Sequence, residues 1–343
     1  MKVSYMTGIG GIAFESRPIP VPEAGEVLVR IEWVGVCGSD LHYYEAGRIG
    51  GFVVEPPFVL GHEAGGVVAA LGAGVESLAV GDRVALEPGI TCGVCEFCKS
   101  GRYNLCPDVR FFATPPIGGV FQEYAAHPAA LCFKLPDNVS TMEGALIEPL
   151  AVGFHAAKTG SAGPGQTAFV FGAGCIGLVS ILALKASGVD RVFAADFLEN
   201  RLAMAEKVGA AGVINPGKAN IIDEAMKAAP GGYDLIIETS GNEKAAAQAI
   251  SLCKKGGTIV LVGYSPSGNM TLPIGIAIDK ELTLKTIFRY RDVYPSAIQA
   301  VADGRINIKD IVTDIFDFDE LPEAMRRCAA EKSAIVKAVI RID

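Results

Sequence analysis

The sequence predicts two folds in one chain, a mainly antiparallel β region followed by an α/β region with a parallel sheet. The first observation is the length of 343 residues, since an ordinary domain has roughly 150 residues. The second is a change of pattern near Gly165, from short strands separated by glycine and proline to apolar strands that alternate with helices. The third is a content of 50% hydrophobic residues, which is enough to form a core in each region.

Residues 1–150 contain short strands bounded by turn residues. Val27–Val34 and Gly66–Leu71 partly alternate between apolar and polar positions, as strands with one buried face do. Turn signals occur at Pro22–Gly25, Gly72–Gly74 and Gly81–Asp82. This pattern predicts a mainly antiparallel β domain.

The region after Gly165 alternates strands with helices. The expected strands are Thr167–Phe171, Arg191–Ala195, Asp234–Glu238, Thr258–Val262 and Leu282–Phe288, and the expected helices are Leu178–Ala186, Leu198–Val208 and Lys244–Cys253. Such alternation implies right-handed crossovers and a parallel sheet covered by helices on both faces. In the tail, Tyr294–Ala302 is expected to be helical, and Ile311–Phe318 and Ile335–Ile342 are expected to be extended.

The net charge of −8 disfavours nucleic acid or an anionic membrane as a partner, since both attract cationic patches. The apolar stretch Ala168–Leu184 approaches membrane-spanning length, but its three glycines and strand-like start predict a buried strand followed by a helix. Met1–Tyr5 lacks the apolar core of a signal peptide. We therefore expect a cytoplasmic protein that does not bind membranes or nucleic acid.

A glycine motif, Gly172–Gly177, fits the pattern G-x-G-x-x-G between a predicted strand and a predicted helix. Asp196 ends the next strand, nineteen residues after Gly177. The glycines allow the backbone to approach a pyrophosphate at a helix N-terminus, and the carboxylate can accept hydrogen bonds from ribose hydroxyls. Because a carboxylate would repel a 2′-phosphate, the motif predicts NAD in preference to NADP.

Four of the nine cysteines lie close together, at Cys92, Cys95, Cys98 and Cys106. The short spacings let one loop surround a tetrahedral zinc ion, and four thiolates close its coordination sphere. The sequence therefore predicts a structural zinc site. The cysteines in apolar contexts are expected to be ordinary buried thiols: Cys132, Cys175, Cys253 and Cys328.

Candidates for a catalytic metal site are scattered. Cys37–His42 follows a strand, Gly61–Glu63 opens another, and Glu148 precedes Pro149. A catalytic zinc needs about three protein ligands and an open position, which Cys37, His62 and a carboxylate would supply. No spacing rule relates residues so far apart, and His62 alone is more typical of a structural histidine. His127 and His155 are also expected to be structural.

Taken together, these motifs resemble the zinc-dependent medium-chain dehydrogenase/reductase superfamily, and within it the sorbitol (polyol) dehydrogenase branch. The resemblance extends along nearly the whole chain. It is carried by Cys37–Gly50, Gly61–Gly66, Gly101–Cys106, Ala113–Pro116, Leu135–Val139, Ala145–Leu150, Gly172–Gly177 and Phe288–Tyr290. It implies a GroES-like catalytic domain formed by residues 1–150 and 289–343, into which a Rossmann NAD-binding domain of residues 151–288 is inserted, with the active site in the cleft.

The resemblance also implies roles for individual residues. Cys37, His62 and Glu63 would bind the catalytic zinc, Glu148 would hold the zinc-bound water or replace a ligand during turnover, and Asp40 would orient His62. Ser39 and His42 would carry the released proton to solvent. The polyol pocket would be lined by Tyr43, Phe111, Thr114, Glu148, Arg289 and Tyr290. NAD would contact Gly172, Gly174, Cys175, Ile176, Gly177, Asp196, Arg201, Val262, Gly263, Ile287, Phe288 and Arg289.

The implied activity is oxidation of a secondary alcohol of a polyol such as sorbitol, xylitol or iditol to a ketose, with hydride transfer to NAD. An alternative is a zinc- and NAD-dependent dehydrogenase of butanediol, threonine or a simple alcohol. Glu148 and Arg289 oppose an apolar pocket, because burying charges against alkyl groups is costly. A zinc-ribbon module that binds nucleic acid is a third reading, but it leaves the α/β half unexplained and the net charge opposes it.

The sequence also predicts a homo-oligomer, either a dimer or a tetramer. The run Leu272–Ile278 is apolar. We expect it to form an edge strand that pairs with a second copy of the chain.

Overall fold

The computed structural model describes residues 1–265 and 267–342. They form two compact units. The first comprises Met1–Glu148, Tyr294–Ala302 and the residues from Val312 onward, and the second comprises Pro149–Val293 and Asp303–Ile311.

The strands are β1 (Lys2–Gly8), β2 (Gly11–Ser16), β3 (Glu26–Gly35), β4 (Arg48–Ile49), β5 (Phe52–Val53), β6 (Glu63–Leu71), β7 (Arg83–Leu86), β8 (Gly89–Ile90), β9 (Arg110–Phe111), β10 (Tyr124–Pro128), β11 (Cys132–Lys134), β12 (Thr167–Phe171), β13 (Arg191–Ala195), β14 (Gly212–Ile214), β15 (Tyr233–Glu238), β16 (Cys253–Leu261), β17 (Thr283–Thr286), β18 (Asp314–Asp317) and β19 (Ala338–Arg341). The α-helices are α1 (Gly38–Ala46), α2 (Glu96–Lys99), α3 (Thr141–Thr159), α4 (Cys175–Ala186), α5 (Glu199–Lys207), α6 (Ile221–Ala228), α7 (Glu243–Leu252), α8 (Ile274–Asp279), α9 (Tyr294–Ala302) and α10 (Leu321–Ala330). Short 3₁₀ helices cover Tyr103–Leu105, Ala129–Leu131, Ile308–Ile311 and Phe318–Glu320.

The first unit is built around a mixed seven-stranded sheet in the order β11-β7-β6-β3-β19-β18. The seventh strand, β10, lies outside this order and pairs with the first half of β3, while β19 pairs with the last residues of β3. Val27, Val29 and Ile31 of β3 point into the core and are fully buried, as alternation along a strand requires. The predicted β region is confirmed, and its central strand carries Gly35 directly opposite Glu63 of β6.

The second unit contains six parallel strands in the order β14-β13-β12-β15-β16-β17. Numbered within the unit, this is the doubly wound order 3-2-1-4-5-6, whose ligands bind at the carboxyl ends of the strands. The aromatic rings of Phe169, Phe171 and Tyr233 pack together in its core. The predicted α/β fold is confirmed. The stretch Ala168–Leu184 forms most of β12 and α4, and no helix within the described residues is long and apolar enough to cross a bilayer.

Two expectations about local structure are wrong. Leu272–Ile278 is not an edge strand, because Pro273 caps the start of α8 and Ala277 of that helix is buried in the core. The edge strand at this end of the sheet is β17. Ile311–Phe318 is extended only at β18, and Ile311 instead ends a 3₁₀ helix.

The unit boundaries differ from the expected division at residues 150 and 288. The first boundary falls between Glu148 and Pro149, inside α3. In the tail, the structure assigns residues 289–293 and 303–311 to the second unit. The latter segment is held there because Arg305 donates to the carbonyl of Ala186 at 3.1 Å, and Asp310 pairs with Lys207 at 3.0 Å.

Candidate functional site

Three side chains that the sequence leaves far apart converge in the first unit. Cys37 lies between β3 and α1, and His62 and Glu63 lie where β6 begins. One ligand atom from each of Cys37, His62 and Glu63 lies within 4.8 Å of the others. Sulfur, nitrogen and carboxylate oxygen are the donors that zinc prefers, and three of them leave a fourth position open. The donor set therefore fits a catalytic zinc.

Asp40 lies behind this cluster and is completely buried. One of its oxygens, Oδ1, is 3.6 Å from Nδ1 of His62 and accepts the Gly61 N–H at 2.9 Å. The other oxygen accepts the Cys37 N–H at 3.0 Å. Burial alone would lower the pKa of His62, but the negative charges of Asp40 and Cys37 outweigh it and raise that pKa well above its ordinary value. Asp40 thus connects the two segments that carry the ligands.

A lysine also reaches the cluster. Lys337, which directly precedes β19, is buried and forms an ion pair with Oε2 of Glu63. Its ammonium group also donates to the carbonyl of Val36 at 3.1 Å. Sequence reasoning missed this residue, because a lysine in an apolar C-terminal strand belongs to no motif.

The other predicted residues of the first unit have different surroundings. Phe111 is buried, and its ring centroid lies 5.8 Å from that of His62, while Thr114 donates its N–H to the carbonyl of Phe111 at 3.0 Å. Tyr43 is buried with its ring centroid 6.5 Å from that of Phe58. Glu148 is buried on α3 and, among the described residues, does not belong to either group of converging ligands. On α1, Ser39 is half-buried and His42 is exposed.

The four clustered cysteines also converge. The sulfur atoms of Cys92, Cys95, Cys98 and Cys106 lie within 4.8 Å of one another. The loop turns its backbone N–H groups towards these sulfurs: the Cys95 N–H donates to Cys92 at 3.3 Å and the Cys98 N–H to Cys95 at 3.4 Å. Backbone donors from Val94 and Cys95 lower the pKa of Cys92 to about 7. The geometry fits a closed four-sulfur zinc site.

The second unit has a cavity of about 840 Å³ lined by Gly172, Asp196 and Arg201. Gly172 has φ 86°, and a Cβ on Gly177 would lie 1.9 Å from the Gly172 carbonyl oxygen, so both positions of this turn require glycine. Asp196 accepts the Ala173 N–H at 2.9 Å and the Leu198 N–H at 3.0 Å, and it lies 3.8 Å from Arg201. The cavity lies at the carboxyl ends of β12 and β13, where a dinucleotide binds in this fold.

Sequence reasoning missed part of this cavity. Ser240, Asn242 and Lys244 also line it, at the carboxyl end of β15. The signal was present, since Thr239–Asn242 is a polar segment that ends a predicted parallel strand.

The remaining predicted residues of the second unit follow β16 and β17. The N–H groups of Val262 and Gly263 donate to the Glu238 carbonyl at 2.8 and 3.0 Å, and Ile287 donates to Leu261 at 3.3 Å. The guanidinium of Arg289 lies 4.9 Å from the ring centroid of Phe288. Tyr290 is buried, and Arg289 adopts a left-handed backbone with φ 53°. Strain of this kind is concentrated at functional sites.

Two histidines were expected to be structural, and four cysteines were expected to be ordinary buried thiols. His127 is buried with Nε2 2.8 Å from the Glu87 carbonyl, and burial lowers its pKa to about 4. The pKa of His155 is lowered to about 4 by burial and by the charges of Arg291 and Lys158. Three of the cysteines are buried, Cys132, Cys253 and Cys328. The expectation is wrong for Cys175, which is half-buried because it begins α4 beside the glycine turn.

Comparison with known proteins gives the same assignment along the chain. Residues 23–137 match the alcohol dehydrogenase GroES-like domain family, and residues 175–303 match the zinc-binding dehydrogenase family. The chain is 41% identical to a sorbitol dehydrogenase of Bacillus subtilis over 99% of its own length and 97% of the relative's. It is 42% identical to a probable D-xylulose reductase A of Aspergillus clavatus over 95% of its length and 93% of the relative's.

A solved structure resembles the whole chain equally well. It is an oxidoreductase of unknown specificity from Escherichia coli, with a TM-score of 0.95 and 41% identity, and the match covers 100% of this chain and 99% of the other. The chain therefore belongs to the zinc-dependent medium-chain dehydrogenase/reductase family, in its sorbitol (polyol) dehydrogenase branch.

Proposed function

We propose that this protein oxidises a secondary alcohol of a polyol to a ketose, with zinc and NAD as its cofactors. The convergence of Cys37, His62 and Glu63 carries the proposal, because a site with three mixed donors has an open position for a substrate hydroxyl. The four-cysteine loop has no such position, so we assign it to a structural zinc ion.

Within the catalytic site, each residue has a distinct task. Cys37, His62 and Glu63 hold the metal, and Asp40 fixes the orientation of His62. Zinc, when bound there, supplies the positive charge that makes the reacting hydroxyl more acidic. Glu148 would hold a water molecule near the metal or serve as an alternative ligand.

The released proton needs a route to solvent. Ser39 and His42 lie three residues apart on α1, and therefore on neighbouring positions of one helical face. Ser39 is half-buried and His42 is exposed. We assign them to successive steps of proton transfer, with the imidazole delivering the proton to water.

The cavity of the second unit binds the adenosine half of NAD. NAD, when bound there, would supply the hydride acceptor for the carbon that bears the reacting hydroxyl. The turn Gly172–Gly177 receives the pyrophosphate at the N-terminus of α4, and Asp196 accepts hydrogen bonds from the ribose hydroxyls. Arg201, Val262, Gly263, Ile287, Phe288 and Arg289 complete the set of cofactor contacts.

The preference for polyols is assigned to Tyr43, Phe111, Thr114, Glu148, Arg289 and Tyr290. Arg289 and Glu148 read hydroxyls beyond the one that reacts, and a short alcohol cannot form these additional hydrogen bonds. A site built to hydrogen-bond a hydroxyl rejects an analogue without it by about 10⁴-fold. We expect kcat/KM for sorbitol or xylitol to exceed that for 2-propanol by this order.

Arg289→Ala is expected to raise the polyol KM and to narrow that gap, and Arg289→Lys to restore only part of it, since lysine lacks the forked guanidinium. Arg191→Ala is the matched control, because Arg191 lies at the amino end of β13, away from the cofactor end of the sheet. A preference of the unmodified enzyme for 2-propanol would refute the polyol assignment. An unchanged ratio in Arg289→Ala would remove this residue from the pocket.

We also propose that the protein is a homo-oligomer and works in the cytoplasm. On α8, Ile274, Ile276 and Ile278 are exposed, with Ile278 at 70%, and Leu284 lies on the adjacent edge strand β17. Exposed isoleucines on a short helix, together with an open sheet edge, form an apolar surface that a second copy can cover. Light scattering should therefore give a dimer or tetramer for the unmodified protein and a smaller species for Ile278→Lys.

A further inference from the structure

Lys337 and Glu63 form a buried ion pair, and the pairing of three neighbouring strands, β6, β3 and β19, brings them together. Lys337 directly precedes β19, and β19 and β6 both pair with β3, where Gly35 lies opposite Val339 on one side and Glu63 on the other. A Cβ on Gly35 would lie 1.9 Å from Oε2 of Glu63. This strand position therefore has to be glycine for the carboxylate to lie where the lysine meets it.

The two charged groups are almost inaccessible to water, with side-chain exposures of 2% for Lys337 and 1% for Glu63. Burying a charge is costly unless it is paired, so each group depends on the other. The Val36 carbonyl, immediately before Cys37, provides a further acceptor for the ammonium group. The lysine is thus fixed against the segment that carries the first metal ligand.

The charges of the site explain what this lysine can do. A Cys37 thiolate and the Glu63 carboxylate together balance the two positive charges of a zinc ion, and Lys337 adds a third positive charge on the same carboxylate. An acceptor behind a ligating histidine makes that ligand more basic. A cation on a ligating carboxylate has the opposite effect, because it withdraws electron density from the oxygen atoms.

We propose that Lys337 is a positioning residue that shares the Glu63 carboxylate with the zinc ion, weakens the bond between Glu63 and the metal, and so lets Glu63 exchange as a ligand during turnover. This inference rests on the proposed function, in which Cys37, His62 and Glu63 bind the catalytic zinc. On this proposal, Lys337, which is not itself a ligand, influences whether Glu63 or Glu148 is the third ligand.

The test measures the rate at which zinc passes from the purified enzyme to a chromogenic chelator. We expect Lys337→Met to release the catalytic zinc about tenfold more slowly, at the lower end of the effects seen for groups behind metal ligands. Lys337→Arg keeps the charge and should release zinc at a rate near that of the unmodified enzyme. Lys332→Met is the matched control, since Lys332 lies on the surface and pairs with Glu45. Release from the four-cysteine site should be the same in all variants.

Two further readouts separate positioning from a merely structural role. In Lys337→Met, kcat should fall more than KM changes, because ligand exchange and not substrate affinity is impaired. In a Glu63→Gln background, the same substitution should leave the rate of zinc release nearly unchanged, because the group through which Lys337 acts is gone. Lys337→Gln, which keeps a donor for the Val36 carbonyl, replaces Lys337→Met if the latter does not fold, with the same expectations.

Unchanged or faster zinc release in a folded Lys337→Met or Lys337→Gln protein would overturn the inference. Equal slowing in the Glu63→Gln background would also overturn it, because the lysine would then not act through Glu63. The proposed function itself would be refuted by a different result, namely that the unmodified enzyme binds zinc only at the four-cysteine loop. The two failures are therefore distinguishable by metal content alone.

Discussion

Replacing Asp196 with asparagine should change the choice between NAD and NADP. Asp196 is the acid at the end of β13, its side chain is 10% exposed, and its two oxygens accept the N–H groups of Ala173 and Leu198. An asparagine has nearly the same size and lacks the negative charge. Its one side-chain oxygen can still accept one of these two N–H groups. The fold of the turn should therefore survive, and the change in cofactor binding should report the charge.

The magnitude follows from two terms. A hydrogen bond to a charged group contributes about 1 kcal/mol more than a neutral one, so kcat/KM for NAD should fall about fivefold. Two unit charges 4 Å apart interact by about 4 kcal/mol at an effective dielectric constant of 20, so removing the carboxylate relieves a repulsion of the 2′-phosphate of NADP. Arg201 lies 3.8 Å from Asp196, and without the carboxylate its positive charge is no longer offset there. Allowing for screening by solvent, we expect kcat/KM for NADP to rise at least about tenfold.

The assay is the initial rate of absorbance increase from the reduced nicotinamide, at saturating polyol, with NAD and NADP varied separately. Asp234→Asn is the matched control, since Asp234 lies at the amino end of β15, where it accepts the Thr167 N–H at 2.9 Å and pairs with Lys254. The NAD-to-NADP ratio should stay constant in the control. Equal use of both cofactors by the unmodified enzyme, or a ratio that Asp196→Asn leaves unchanged, would refute the role given to Asp196.

Two other predictions concern the metal content and the stability. Cys95→Ser should reduce the zinc content from two ions per chain to one and lower the thermal unfolding temperature, while the remaining zinc still supports turnover. If elemental analysis finds one zinc ion in the unmodified protein and Cys95→Ser retains it, the structural site is contradicted. His127 is neutral in the folded state because burial lowers its pKa from 6.5 to about 4, so its contribution to stability is present above pH 6.5 and is lost as the pH falls towards 4. Between about pH 7 and pH 4, the free energy of unfolding should fall in both proteins, and the fall should be about 3 kcal/mol smaller in His127→Gln than in the unmodified protein. Urea titrations at the two pH values measure this difference. An equal fall in both proteins would show that His127 is not the group responsible.

Much of this protein could be predicted from the sequence because the relevant signals are local. The alternation of apolar strands and helices after Gly165 specified the parallel sheet, since each strand and crossover has its own periodicity. The loop Cys92–Cys106 and the turn Gly172–Gly177 bring their functional atoms together within one short segment, so their spacing alone carries the geometry. The local pattern was not sufficient for Leu272–Ile278, which was expected to be a strand. Pro273 and packing against the core favour a helix there.

Tertiary structure alone decided the catalytic cluster. Cys37 and His62 meet because β3 and β6 pair in an antiparallel register that no motif encodes, and Asp40 connects their two segments through backbone N–H groups. Lys337, which directly precedes β19, reaches Glu63 because Gly35 has no side chain where the Glu63 carboxylate lies. Contacts between distant segments depend on the register and side-chain volumes of a packed sheet, and these are properties of the assembled core and not of any single stretch of sequence.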